Sequence, residues 1–153
     1  MAFDSKKRYR NIKDAHADEL ENIEKIVNSD HWRQKFHIMP KTGLLNDPNG
    51  LAYFNGKYHI FFQWFPFGPV HGLKHWAHYV SEDMVSWHED KRILIPEEWY
   101  ETHGAFSGST IIKDNQLYLM YTGNVRAEDN RRTSYPCLAC LESEQIVKNH
   151  DNP

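Results

Sequence analysis

A chain of 153 residues that is 40% hydrophobic and 14% aromatic carries enough apolar material for one globular core. Its 18 Lys and Arg nearly balance 21 Asp and Glu, and the net charge of −3 excludes a general affinity for nucleic acid. No window reaches the roughly 18 to 20 continuous apolar residues of a membrane span, and Met1-Ala2-Phe3-Asp4-Ser5-Lys6-Lys7 lacks the apolar stretch of a signal peptide, so no membrane contact and a cytoplasmic location are expected.

In chain order, residues 14–29 place Leu20, Ile23, Ile26 and Val27 at helical spacing behind an acidic start, which predicts one amphipathic helix within an N-terminal extension over 1–30. After Pro40 the pattern changes to short aromatic and β-branched runs, predicting strands near 50–54, 57–63, 75–81, 104–113, 116–122 and 134–141. Asn55-Gly56 and Asp114-Asn115 are turn pairs that join neighbouring runs into antiparallel hairpins. Such meanders suit a sandwich, a barrel or propeller blades. The segment 126–134 is polar and reads as a loop.

Three stretches carry residues suited to chemistry. Asn46-Asp47-Pro48-Asn49-Gly50 reads as a turn, since Pro48 biases Asp47 toward extended backbone and Asn49-Gly50 can reverse the chain. A carboxylate there, ionised at neutral pH and oriented by a donor such as Asn46, also suits a nucleophile toward an electrophilic sugar carbon. The segment 63–87 holds Gln63, three tryptophans and three histidines, a mixture that fits either a sheet core or a sugar surface. Gly104-Ala105-Phe106-Ser107-Gly108 combines close backbone approach, a hydroxyl and an aromatic face. His71, His75 and His78 have no carboxylate partner or fixed motif, so no metal and no cofactor are expected. Cys137 and Cys140 read as small buried side chains rather than a redox pair.

Taken together, His37-Ile38-Met39-Pro40, Leu44 to Gly50, Tyr58 to Trp64, His75-Trp76 with Ser81 to Trp87, Phe106 to Ser109 and Tyr121 to Asn124 resemble glycoside hydrolase family 32, the invertases and fructan hydrolases. The resemblance implies an all-β fold: the N-terminal portion, about two blades, of a five-bladed β-propeller over residues 31–153. It implies a β-fructofuranosidase acting on sucrose, sucrose 6-phosphate or a fructoside by retention, with Asp47 as nucleophile. Leu44, Leu45, Asn46, Gln63, Phe106, Ser107 and His71 fall on substrate-contact positions. Leu44-Leu45 departs from the family's Trp-Met, and His71 lies near a position where many relatives carry tryptophan.

The family's Arg-Asp-Pro and Glu-Cys motifs, which carry the transition-state stabiliser and the acid/base, have no counterpart, and Glu142 does not match the latter. The chain is therefore expected to be an N-terminal fragment, inactive alone, with exposed sheet edges that promote association. The alternative is a non-catalytic sugar-binding module or a structural remnant completed by another chain.

Overall fold

The computed structural model describes residues 7–153, so the reading of Met1 to Lys6 lies outside the described residues. Helix α1 spans Glu19–Ser29 and begins five residues later than its periodicity predicts. The cause is local: Asn11 and Asp14 cap each other around a single 3-10 turn at Ile12–Asp14, and Ala15 then turns extended. Arg10 ties this segment to the helix by donating to both carboxylate oxygens of Glu19 at 2.8 Å.

Eight strands follow: β1 Leu44–Phe54, β2 Lys57–Phe65, β3 His75–Ser81, β4 His88–Leu94, β5 Ala105–Lys113, β6 Gln116–Arg126, β7 Arg132–Leu141 and β8 Ile146–Lys148. They form two four-stranded antiparallel meanders in sequence order, β1 to β4 and β5 to β8. Both hairpins fall on the expected pairs, with Asn55, Gly56, Asp114 and Asn115 all at positive φ, the geometry that matches strand twist in a two-residue turn.

In the strand region the sequence expectations differ from the structure in four places. Asn46 to Gly50 is no turn: β1 runs through it and absorbs the irregularity as a bulge, because Asp47 takes φ 43° while Asn46 and Pro48 pair with Gln63 and Phe62. The charged run His88–Leu94 forms β4, and three residues at 146–148 form β8; neither is amphipathic enough to announce itself. The expected loop at 126–134 is shorter, since β6 extends to Arg126 and β7 starts at Arg132.

One core joins the two sheets. Phe61, Trp76 and Leu94 of the first pack with Ala105, Leu117, Leu119, Tyr121, Cys137, Ala139 and Leu141 of the second, all nearly inaccessible to solvent. Alternate residues of β7 enter this core, which buries Cys137 and leaves Cys140 on the other face, both as free thiols. The opposite face of the first sheet buries Phe62, Trp64, Ala77 and Tyr79 under Ile12 and Ile38, so β2 is covered on both sides.

The sheets are stitched where β1 and β5 approach. Ala105 N donates to Lys74 O at 2.9 Å, Trp76 Nε1 to Phe106 O at 3.3 Å and Thr110 Oγ1 to Leu51 O at 3.1 Å. Gly50 sits in this seam at φ 60°; a Cβ there would lie 2.9 Å from the Phe61 ring and 3.1 Å from Thr110. Among the described residues no helix is long and apolar enough to cross a membrane.

Candidate active site

The bulge that breaks β1 also aims Asp47. Its exposed carboxylate projects toward β5, where Ser107 Oγ donates to Oδ2 at 2.9 Å. Ser107 occupies the matching irregularity of its own strand, since the β5–β6 register slips between Phe106 and Ser109. Gly108 makes that slip sterically feasible, for a Cβ on it would lie 1.8 Å from Met120 O.

Behind this pair runs a line of side chains. Gln63 Nε2 donates to Ser107 Oγ at 2.7 Å, Asn46 Nδ2 donates to Gln63 Oε1 at 2.7 Å, and Lys74 Nζ donates to Asn46 Oδ1 at 2.6 Å. An ammonium can only donate and a carboxylate can only accept, so every bond between Lys74 and Asp47 points the same way. Gln63 and Lys74 are buried, at 4% and 3% exposure, which fixes the inner part of the line while Asp47 meets solvent. Burial pushes the Lys74 amine down to about 8, and the negative charge of Asp47 partly offsets this.

Asp47, Asn46, Gln63 and Lys74 line one cleft of about 390 Å³, together with Phe106, His71 and Gly72. That size suits a small ligand. Arg8, Tyr9, His103, Arg126 and Arg132 complete the wall. The N-terminal segment is held there by Leu73 N donating to Arg8 O at 2.7 Å and by Tyr9 meeting His103 edge to face at 4.8 Å between ring centres. His103 Nδ1 accepts from Arg126 N at 3.1 Å, and burial followed by the Arg126 charge lowers its pKa. A larger cleft of about 450 Å³ lies between β4 and β8, but its cations Lys13, Lys91, Arg92 and Lys148 are each already paired with a carboxylate.

The residues read from the sequence are thus partly assembled. Asn46, Asp47, Gln63, Phe106 and His71 line the cleft and Ser107 bonds its carboxylate. Leu44 and Leu45 are not in the wall; Leu45 packs instead into the cluster of Phe62 and Trp64. His75 and His78 are fully buried, His75 accepting from Ile12 N and His78 stacked on Phe61. Sequence reasoning passed over Lys74, whose one available signal was a lone lysine inside an aromatic run, and over Arg126 and His103. Asp47 is the only carboxylate lining the cleft among the described residues. The described residues also contain no group of three His, Cys, Asp or Glu side chains arranged to hold a metal.

Fold and site define a class: a propeller-type protein built of antiparallel four-stranded sheets, with a polar cleft around one carboxylate presented on β1, the first strand of its sheet. Residues 37–153 match the family model "Glycosyl hydrolases family 32 N-terminal domain", and the chain belongs to this family. It is 53% identical over 122 residues to a sucrose-6-phosphate hydrolase of Bacillus subtilis (80% of this chain, 26% of that one). With that of Lactococcus lactis it shares 46% over 149 residues (97% and 32%). The solved sucrose-6-phosphate hydrolase from Lactobacillus gasseri superposes with a TM-score of 0.90 at 40% identity, covering 99% of this chain and 31% of that one. A β-fructofuranosidase of Bombyx mori, solved as a variant in complex with sucrose, gives 0.78 at 32% identity, with 88% and 28% covered. The chain spans between a quarter and a third of the length of these relatives, and its two sheets correspond to the N-terminal propeller portion of the solved structures.

Proposed function

We propose that this chain supplies the nucleophile half of a β-fructofuranosidase that cleaves sucrose 6-phosphate to glucose 6-phosphate and fructose in the cytoplasm. The observation that carries the proposal is the exposed Asp47 carboxylate held by Ser107 in a cleft with Gln63, Asn46 and Phe106. In this reading Asp47 attacks the anomeric carbon of the fructosyl unit as the bond to the glucosyl oxygen breaks. The leaving oxygen needs a proton, and retention places the donor's carboxyl roughly 5 Å from the nucleophile. Since Asp47 is the only carboxylate in the described cleft wall, the 153-residue chain alone is expected to bind sugar without turning it over. The phosphorylated substrate is favoured by the similarity to sucrose-6-phosphate hydrolases, and phosphorylated sugars are retained inside cells.

The test is hydrolysis of sucrose and sucrose 6-phosphate by the hydrolase that carries this segment at its relatives' length. Asp47→Asn is expected to lower turnover by about 10⁴-fold or more while the fold survives, because the side chain is exposed. Activity undiminished in the variant would remove Asp47 from the role. We also propose that the short chain associates with itself. The far face of its second sheet carries Ile111, Tyr118 and Cys140 in cross-strand register and Met120 beside Leu138, with Ile111 and Met120 about half exposed.

A further inference from the structure

The arginines around the cleft are not equivalent. Arg131 is spent, its Nε lying 2.5 Å from Asp129 Oδ2 on the same loop. Arg126 and Arg132 are direct cross-strand partners at the ends of β6 and β7, so their side chains leave the same face of the sheet. Both line the cleft that contains Asp47, and Arg8 reaches it from the N-terminal segment. None of the three forms an ion pair or side-chain hydrogen bond among the described residues.

Like charges directly opposite on neighbouring strands destabilise a sheet. In a chain of net charge −3, an uncompensated arginine pair at the rim of a concave site is therefore a cost that a bound anion would relieve. Guanidinium groups match the oxygens of a phosphate monoester in bidentate fashion, and the ester is close to a dianion at neutral pH. His103 adds a neutral donor: with Nδ1 accepting the Arg126 amide, its ring proton sits on Nε2. We infer that Arg126 and Arg132, with Arg8 closing the third side, form the subsite that binds the phosphate of a sugar 6-phosphate in the cleft served by Asp47.

This inference rests on the hydrolase reading for the identity of the sugar, but it fails or stands by binding alone, with no bond cleaved. Titration calorimetry of the 153-residue chain with glucose 6-phosphate, glucose and inorganic phosphate provides the measurement. Glucose 6-phosphate is expected to bind more tightly than either of the others and more weakly as salt rises. Arg126→Ala and Arg132→Ala are each expected to weaken it by about 10- to 100-fold, with Arg126→Lys recovering part of the loss, and Arg131→Ala is expected to leave it unchanged. The subsite is overturned if glucose 6-phosphate binds no better than glucose, if inorganic phosphate binds more tightly than the sugar phosphate, or if Arg131→Ala weakens binding as much as Arg126→Ala. Failure of the hydrolase reading shows elsewhere, as undiminished turnover in Asp47→Asn.

Discussion

Lys74 is the residue whose environment departs furthest from what the sequence suggests. It is buried, it donates to Asn46, and its depressed pKa means that the folded state holds its proton less tightly than the unfolded chain does. The sign follows from linkage: below pH 8 both states are charged and the burial penalty is fully present, and above about 10.4 both are neutral and it is gone. Stability from this group therefore rises with pH between the two, by at most about 3 kcal/mol. Urea unfolding of the wild type and Lys74→Met between pH 7 and 10.5 should show this upward trend as the difference between them; parallel profiles would contradict it. The motif residues Asn46, Asp47, Gln63 and Ser107 were legible because each carries recognisable chemistry in a fixed order. Lys74 was not, since a lysine ordinarily signals a solvated surface, and only its tertiary neighbours turn it into part of a buried line.

At the scale of elements, the two side chains that meet at the site both sit in strand irregularities, Asp47 in β1 and Ser107 in β5. Regular pleating would alternate these side chains strictly between faces; one extra residue re-aims each. Gly108→Ala tests this directly, because the added Cβ would meet Met120 O at 1.8 Å and the strand must shift. It is expected to destabilise the chain by about 1 to 3 kcal/mol and to weaken sugar binding as well, read by thermal unfolding and by titration. A variant that loses stability but binds normally would separate the bulge from the site. The same irregularities explain what the sequence obscured. Pro48 and Asn49-Gly50 look like a turn, and the Arg126 and Arg132 ends of β6 and β7 look like a loop, because strand positions given over to the site abandon hydrophobic alternation. Where alternation is intact, as in Gln116–Tyr121, the strand was plain.

At the scale of the whole molecule, the two sheets share one continuous core, yet the far face of the second remains apolar and open. The β4 edge is guarded by Lys91 and Arg92, which blunt edge pairing, so contact through that face is the easier route to association. Sedimentation velocity is expected to show the chain associating as concentration rises, and Ile111→Lys with Met120→Lys to restore the monomer. A wild-type monomer at all concentrations would count against this. The division into two meanders was readable from turn pairs and aromatic runs; which faces would meet was not, because that depends on the seam of Gly50, Thr110 and Trp76.

The one-way line from Lys74 to Asp47 has a consequence best put as parity. Asn46→Asp changes one atom and leaves shape intact, yet the oxygen that replaces Nδ2 would face the Gln63 carbonyl. Gln63 must then turn its amide over, which points its oxygen at Ser107. The hydroxyl has a single proton, and it either answers Gln63 and releases Asp47 or keeps Asp47 and leaves two oxygens opposed. A substitution that never touches the carboxylate would topple each link in turn, so the site holds as a whole or not at all.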